Sequence, residues 1–242
     1  MLTMKTALVT GSNKGIGFEI SKKLLKEGYH VLVGARDESR GKNAITKLAK
    51  YGPVDLIKID YSDSESIKEA VQRVSNEYKK LNLLVNNAGI PGPLIKRPSW
   101  EFTKEELLET YTVDFLGPFE LSKGLLPILI ENHGKIVNVS IPIEPMPFPN
   151  MNPFAYLTGK APLNIMTKSW GISIDEIALP VQIFAVMPGA VSTDLNNHTT
   201  GKGVKMPEEA AEWIAGLALD EKNHNGQVIN FEGKLADYKN LV

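Results

Sequence analysis

Short apolar segments alternate with helical patterns along the whole chain, and this alternation restricts the fold more than any other feature. Several apolar segments are rich in Val, Ile and Leu at successive positions, which is typical of strands buried on both faces. The seven predicted strands are 7–10, 31–35, 55–59, 83–86, 135–140, 181–186 and 228–231. Segments 16–27 and 64–79 carry apolar residues at helical spacing. We therefore predict an α/β fold with a doubly wound parallel sheet of about seven strands, of the Rossmann type.

Length and composition are those expected of one soluble domain. The chain has 242 residues and shows no repeat or shift in composition, so residues 1–242 are predicted to form a single domain. A formal net charge of -1 gives no indication of a nucleic-acid partner or an acidic membrane surface. The absence of cysteine excludes disulfides, thiol catalysis and thiolate metal ligands.

Neither a secretory pattern nor a membrane span is visible in the sequence. The first six residues are followed at once by a short apolar strand, and no run approaches the ~20 apolar residues that span a bilayer. We therefore predict a cytoplasmic protein with no membrane partner. No metal site is predicted, because the histidines lack ligand spacing and are expected at the surface; they are His30, His133, His198 and His224.

A glycine-rich loop follows the first predicted strand and precedes a helical pattern. Gly11 permits a tight turn, Gly15 lets the backbone approach a phosphate, and Gly17 lets the helix pack against the sheet. Amides at a helix start, together with the helix dipole, attract a pyrophosphate. Any tight strand–helix turn can use glycines, but this position after the first strand favours a dinucleotide. The predicted cofactor-binding residues are Gly11, Ser12, Asn13, Lys14, Gly15, Ile16 and Gly17.

Tyr156 and Lys160 are four residues apart and therefore lie on one face of a predicted helix. A phenol with an ordinary pKa of ~10 is a weak acid or base near neutrality, and an ammonium group beside it is expected to lower that pKa. Ser140 ends a predicted strand and could polarise a carbonyl oxygen in the same cleft. An exposed helical pair is the alternative interpretation of the tyrosine and the lysine. The upstream glycine loop favours catalysis.

Together these motifs resemble the short-chain dehydrogenase/reductase family, and residues 13–17 resemble its carbonyl-reductase branch in particular. The resemblance continues through residues 86–89, Ser140, residues 156–160 and residues 188–189, in family order. It implies one dinucleotide-binding and catalytic domain that transfers a hydride between a nicotinamide cofactor and a carbonyl carbon, with Tyr156 as general acid and base. It also implies that Lys160 hydrogen-bonds the nicotinamide ribose.

The end of the second predicted strand favours NADP over NAD. Ala35 stands where NAD enzymes usually have an acidic residue, and Arg36 follows it. A guanidinium can pair with the 2′-phosphate of NADP, and Lys14 could add a second charge. Arg36 could instead be a solvated loop cation, and the carboxylate of Asp37 would repel a phosphate if it pointed inward.

The resemblance implies further cofactor contacts after the later strands. Asp60 would bind the adenine amino group, and capping of the next helix is the alternative. The backbone of Val191 and the hydroxyl of Thr193 would hold the carboxamide. The full set implied here is Asp60, Tyr61, Asn87, Ala88, Gly89, Pro188, Gly189, Val191 and Thr193.

Two departures from the family pattern lie near the catalytic residues. Asp114 occupies a position where the family commonly has a catalytic asparagine, so it is carried over as a catalytic candidate that could alter the pH response. Pro162 follows the lysine closely, and proline inside a helix removes a hydrogen bond, so a local kink is expected there.

Two long segments are predicted to border the substrate. Residues 141–153 contain five prolines and are predicted to be a loop, with Met146, Phe148 and Met151 forming an apolar pocket for hydrophobic ketones. Residues 194–205 are polar and glycine-containing, which is typical of a mobile segment over a substrate or of an idle surface loop.

The favoured function is reversible reduction of a ketone or aldehyde to an alcohol by an NADP-dependent enzyme. An epimerase or dehydratase on the same scaffold, or a non-catalytic NADP-sensing protein, stays open because fold does not dictate function. The resemblance further implies a homodimer or homotetramer, formed through the helices that carry Phe115 and Tyr156.

Overall fold

A seven-stranded parallel sheet forms the centre of the computed structural model, which describes residues 4–142, 150–196 and 198–236. The strands run in the order β3-β2-β1-β4-β5-β6-β7, and every neighbouring pair is parallel. Their bounds are β1 Thr6–Thr10, β2 His30–Ala35, β3 Val54–Lys58, β4 Leu81–Asn86, β5 Lys135–Val139, β6 Gln182–Met187 and β7 Val228–Asn230. The predicted Rossmann-type fold is confirmed, and each predicted strand is present.

The described part of the chain contains eight α-helices. They are α1 Gly15–Lys26, α2 Glu38–Leu48, α3 Ser64–Glu77, α4 Lys104–Tyr111, α5 Gly117–Glu131, α6 Phe154–Lys160, α7 Pro162–Ile177 and α8 Pro207–Leu219. A π-helical turn, Thr112–Leu116, joins α4 to α5. None of the helices described is long and apolar enough to cross a membrane.

Each strand contributes to two hydrophobic cores, because successive side chains point to opposite faces. In β1, Leu8 packs into the core that α3, α5 and α7 cover, whereas Ala7 and Val9 pack into the core under α1, α2 and α8. All three side chains are fully buried. This two-sided burial explains why the strands are apolar at consecutive positions.

The strand order reverses between β1 and β4, and the cleft opens at the carboxyl ends of these two strands. The chain runs from β1 out to β3 and then returns to β4 on the other side of β1. Gly11 after β1 closely approaches the turn after β4, because an added Cβ would lie 2.9 Å from the Ala88 Cα. Open α/β sheets bind ligands at such a reversal point.

The break between α6 and α7 confirms the predicted interruption near Pro162. Helix α6 ends at Lys160, and Pro162 opens α7 at a position where its missing N–H removes no hydrogen bond. Gly159 precedes the break, and a Cβ there would lie 2.9 Å from the Thr110 carbonyl oxygen. The glycine therefore lets α6 pack closely against α4. Residues 143–149 of the proline-rich loop lie outside the described residues.

We expect Gly159→Ala to lower the free energy of unfolding by about 1–3 kcal/mol, because the added methyl meets backbone rather than a flexible side chain. Urea unfolding would measure this loss. Gly216→Ala in α8 is the matched control, since an added Cβ there meets nothing within 4 Å. It is expected to be neutral or stabilising by about 0.5–1 kcal/mol. Equal effects of the two substitutions would contradict the packing role of Gly159.

Candidate active site

A cleft of about 1450 Å³ lies along the carboxyl edge of the sheet. It brings together nearly all of the residues that the sequence predicts for cofactor binding and catalysis. The predicted residues that line it are Gly11, Asn13, Lys14, Gly15, Ile16, Arg36, Asp60, Tyr61, Asn87, Ala88, Gly89, Ser140, Tyr156, Lys160, Pro188, Gly189, Val191 and Thr193.

Three predicted site residues lie behind the surface of the cleft. Ser12 is fully buried, and its hydroxyl donates a hydrogen bond to the Val9 carbonyl at 2.7 Å. A Cβ on Gly17 would lie 2.5 Å from the Asn87 Nδ2, so this glycine serves close packing. Asp114 is also fully buried. Ser12 and Gly17 thus shape the glycine loop from behind.

The glycine loop presents an uncapped helix N-terminus to the cleft. Helix α1 begins after Lys14 without a side-chain cap or an acidic residue in its first turn, whereas Asp37, Asp63 and Thr103 cap α2, α3 and α4. The amides of the first turn of α1 are therefore available to an anion. Gly15 has a φ of 58°, which an L-residue adopts rarely. These features fit the pyrophosphate of a dinucleotide.

Several cations line the end of the cleft next to β2. Arg40 and Lys47 join Lys14 and Arg36 there, although the sequence analysis did not identify either. Arg40 lies in the first turn of α2, and its place just after Arg36 at the carboxyl end of β2 is the signal that could have shown it. The Asp37 carboxylate caps α2 by accepting a hydrogen bond from the Arg40 amide at 2.8 Å.

The structure decides between the two interpretations of Asp60. Its Oδ1 accepts hydrogen bonds from the Ser62 amide at 2.9 Å and the Ser62 hydroxyl at 2.6 Å. Helix α3 is instead capped by Asp63, which accepts from the Glu65 amide at 3.0 Å. The alternative that Asp60 caps the helix is therefore excluded, and Asp60 stays a cofactor candidate in the wall of the cleft.

Tyr61 is only 5% exposed and contributes mainly to the core. Its hydroxyl lies 3.1 Å from Thr10 Oγ1 and 3.0 Å from Asn86 Oδ1. The same Thr10 oxygen accepts hydrogen bonds from the Asn87 and Ala88 amides, both at 3.1 Å. Tyr61 therefore holds the turn after β4 from below and offers little surface to an adenine ring.

Ser140, Tyr156 and Lys160 line the same part of the cleft. Lys160 is buried, and its Nζ donates a hydrogen bond to the Ala88 carbonyl at 3.1 Å. Ser140 is buried at the end of β5, with its Oγ 3.5 Å from the Lys160 carbonyl oxygen. The half-buried phenol of Tyr156 reaches the cleft from the first turn of α6.

Burial has the largest effect on the pKa values of Tyr156 and Lys160. Removal from water raises the pKa of Tyr156, and the negative charge of Asp114 raises it further. Burial lowers the pKa of Lys160, and Asp114 opposes that change. This direction for Tyr156 is opposite to the one expected from its spacing to Lys160, because burial disfavours the charged phenolate.

Asp114 lies in the π-helical turn between α4 and α5, a type of turn that often occurs at functional sites. Its Oδ1 accepts a hydrogen bond from the Ile90 amide at 2.8 Å, while its Oδ2 is buried without a partner. Burial raises the pKa of Asp114 to about 6, although the charge of Lys160 and the Ile90 amide both lower it. A Cβ on Gly89 would lie 3.0 Å from Asp114 Oδ1 and 3.1 Å from Lys160 Nζ, so the two groups flank this glycine.

The two segments predicted to border the substrate both reach the cleft. Ile141, Pro142, Met151 and Pro153 line it, whereas the predicted pocket residues Met146 and Phe148 lie outside the described residues. Segment 194–205 begins against the cleft at Asp194. Its end is fixed to the chain after β6, since the Ser192 amide donates to the Lys205 carbonyl at 2.9 Å.

The histidines are not grouped. Among the residues that the structure describes, there is no cluster of three His, Cys, Asp or Glu that could hold a metal ion. His224 is only 7% exposed, so its predicted surface position is wrong. Its ring packs against Phe184 with centroids 5.3 Å apart, and its Nε2 lies 3.0 Å from Asp220 Oδ2. Hydrogen-bond partners for both ring nitrogens, Gln227 and Asp220, make this burial possible.

We expect Asp114→Asn to stabilise the protein above pH 6. Because the folded-state pKa lies above the ordinary value of 3.8, the aspartate favours folding fully only at low pH and loses this contribution as the pH rises through about 6. Between pH 4 and pH 8 the asparagine variant should gain about 2 kcal/mol of stability relative to the parent, since the unfolded aspartate is already partly ionised at pH 4. Urea unfolding at both pH values measures this. Glu69→Gln, at an exposed position on α3, should show no such gain; a pH-independent difference for Asp114→Asn would contradict the ionisation of Asp114.

Comparisons with known proteins identify the family. The family model for short chain dehydrogenase matches residues 5–202. The chain is 30% identical to carbonyl reductase [NADPH] 1 of Mus musculus, over 92% of this chain and 95% of that protein. It is 29% identical to (+)-neomenthol dehydrogenase of Arabidopsis thaliana, over 90% of this chain and 92% of that protein.

Solved structures show the same fold. An NADPH-bound carbonyl reductase from chicken fatty liver superimposes with a TM-score of 0.84 at 25% identity, covering 98% of this chain and 100% of that one. An alcohol dehydrogenase from Thermococcus sibiricus, complexed with 5-hydroxy-NADP, gives a TM-score of 0.79 at 25% identity, covering 98% of both chains. The chain belongs to the short-chain dehydrogenase/reductase family and is carbonyl-reductase-like within it.

Proposed function

We propose that this protein is an NADP-dependent oxidoreductase that reversibly reduces a ketone or aldehyde to an alcohol. The observation that carries the proposal is the position of Ser140, Tyr156 and Lys160 in the same cleft as an uncapped glycine loop. We also infer that residues 1–242 form one dinucleotide-binding and catalytic domain, because the loop and the catalytic side chains lie at one edge of one sheet.

The residues present fit a phosphorylated dinucleotide. The amides of Gly15 and Ile16 would hold the pyrophosphate, and Lys14, Arg36 and Arg40 would hold the 2′-phosphate. The segment from Pro188 to Thr193 would border the nicotinamide, as the family resemblance implies. The NADP-containing relatives support this assignment. When bound, the cofactor supplies or accepts the hydride.

Tyr156 acts as the general acid in reduction. Its raised pKa keeps the phenol protonated in the resting protein, which suits a group that must give a proton to the substrate oxygen. The Ser140 hydroxyl hydrogen-bonds the same oxygen and stabilises the negative charge that develops on it. In the oxidative direction Tyr156 takes the proton from the alcohol, and Ser140 hydrogen-bonds the same oxygen. A positioned general acid contributes about 10²–10⁴-fold to the rate.

Lys160 and Asp114 support this proton transfer. The Ala88 carbonyl fixes the lysine amine at the base of the cleft, where it restores the proton that Tyr156 has given. Burial alone would favour the neutral amine, and the carboxylate of Asp114 opposes this by raising the lysine pKa. Asp114 thus favours the protonated form of Lys160, which is the form that can donate a proton.

The substrate is a small carbonyl compound with an apolar body. Ile90, Pro91, Leu94, Met151 and Leu157 contribute apolar lining on the side of the cleft that contains Tyr156. Such a wall gives little compensation for burying hydroxyls or charges. Aryl and alkyl ketones are therefore expected to react better than sugars.

We further propose a homodimer or homotetramer. Ile165 and Ile172 lie seven residues apart on α7 and are 68% and 60% exposed, so they form an apolar stripe on one helix face. The family resemblance implies an interface through the helices that carry Phe115 and Tyr156, but Phe115 itself packs partly into the core, with its ring 5.1 Å from that of Tyr111.

We expect Tyr156→Phe to reduce carbonyl reduction by at least about 10²–10⁴-fold, because the ring remains while the transferable proton is lost. If the Tyr156→Phe variant no longer oxidises NADPH in the presence of a ketone but still binds NADPH, this role is supported. Tyr111→Phe on α4 is the matched control and should stay near parental activity. A catalytically active Tyr156→Phe enzyme would contradict the proposal. An inactive parent that binds NADPH would favour a sensing protein, and turnover without net redox change would favour an epimerase or dehydratase.

We expect Arg36→Ala and Arg40→Ala each to weaken NADPH binding about 10-fold to 100-fold, because each removes a charge-assisted hydrogen bond worth ~1.5–3 kcal/mol. NADH, which lacks the 2′-phosphate, serves as the internal control and should bind nearly unchanged. Fluorescence titration of both nucleotides makes the comparison. Equal losses for NADH and NADPH would show that these arginines do not recognise the phosphate.

A further inference from the structure

Lys14 of the glycine loop forms an ion pair with Asp194 of the segment that follows β6. The two residues are 180 positions apart in the sequence, and both line the cleft. Their side chains are 52% and 50% exposed. Lys14 is also one of the cations to which the proposed function assigns the 2′-phosphate of NADP. The same ammonium group therefore has a protein partner and a candidate ligand.

The carboxylate of Asp194 lies next to two of the cations, Lys14 and Arg40, to which the phosphate is assigned. A pocket of about 290 Å³ beside the main cleft is lined by Asn13, Lys14, Arg40, Asn43 and Asp194. The hydrogen bond from Lys14 holds the pKa of Asp194 below its usual range. Asp194 therefore places a negative charge among the groups that would receive the phosphate.

Exchange of the carboxylate for a phosphate at Lys14 requires little energy. An exposed lysine–carboxylate pair contributes only ~0–1 kcal/mol, whereas a phosphate offers a larger charge and several acceptor oxygens. Asp194 also keeps a second partner after the exchange, because His198 Nε2 lies 2.7 Å from its Oδ1. After the exchange, Lys14 would contact the phosphate and Asp194 would contact His198.

We propose that Asp194 is a specificity-determining residue that competes with the 2′-phosphate of NADP for Lys14 and so limits the preference for NADP over NAD. The inference rests on the proposed NADP site. It also connects cofactor binding to the segment after β6: when the phosphate takes Lys14, Asp194 loses its contact with the glycine loop and keeps the contact with His198, four residues further along its own segment.

Fluorescence titration of NADPH and NADH into the full-length protein at low ionic strength tests the inference. Asp194→Asn should tighten NADPH binding about threefold to fivefold, because it removes an exposed pair of the strength given above. NADH binding should change less than about twofold, and the gain for NADPH should shrink at high salt. Asp194→Glu keeps the charge and should stay close to the parent.

A double-substitution cycle separates competition for Lys14 from simple repulsion of the phosphate. If Asp194 acts by occupying Lys14, Asp194→Asn should have a smaller effect on NADPH binding in a Lys14→Met background than in the parent. Simple repulsion would give equal effects in both backgrounds. Glu208→Gln is the control, because Glu208 lines the main cleft but not the small pocket beside it.

The outcomes are distinct. Weaker or unchanged NADPH binding by Asp194→Asn, an equal gain for NADH, or equal effects in the two backgrounds would each overturn the inference while leaving the proposed function intact. A parent protein that binds neither nucleotide would overturn both. Tighter NADPH binding that depends on Lys14 would support the inference, provided that thermal unfolding shows the variants to be as stable as the parent.

Discussion

The hydroxyl of Thr10 joins the two turns on which the whole cleft depends. It accepts hydrogen bonds from the amides of Asn87 and Ala88, and the Asn87 side chain donates in return to the Thr10 carbonyl at 2.9 Å. These bonds fix the end of β1 against the end of β4, where the strand order reverses. Because the Ala88 carbonyl also accepts a hydrogen bond from Lys160, the same junction positions this lysine. The glycine loop and Lys160 thus share one support.

Behind this junction, buried polar side chains continue through the sheet. Asn86 donates to Ser122 at 2.9 Å and to Asn138 at 2.8 Å, and Asn138 donates to Thr167 at 2.9 Å. Each of these groups is satisfied, as burial requires. The Oδ2 of Asp114 differs from these groups, because it is a buried acceptor without a partner, close to Lys160. A group that costs stability next to reactive side chains is typical of functional sites.

Local patterns predicted the fold and most of the candidate site. The strands were visible because two-sided burial makes consecutive residues apolar, as in 31–35. The glycine loop was visible because a tight turn and a close backbone approach at Gly11 depend on a few adjacent residues. Tyr156 and Lys160 were visible because a spacing of four places two side chains on one helix face.

What the sequence by itself determined is therefore the order of the elements and the chemistry that each strand end carries. The tertiary structure alone decided which side chains face one another. It buried Ser12 and His224, and it placed Lys14 against Asp194, 180 positions away. It also raised the pKa of Tyr156, whose sequence neighbours predicted the opposite direction. Periodicity is a property of adjacent residues, whereas desolvation and long-range pairing exist only after distant segments pack together.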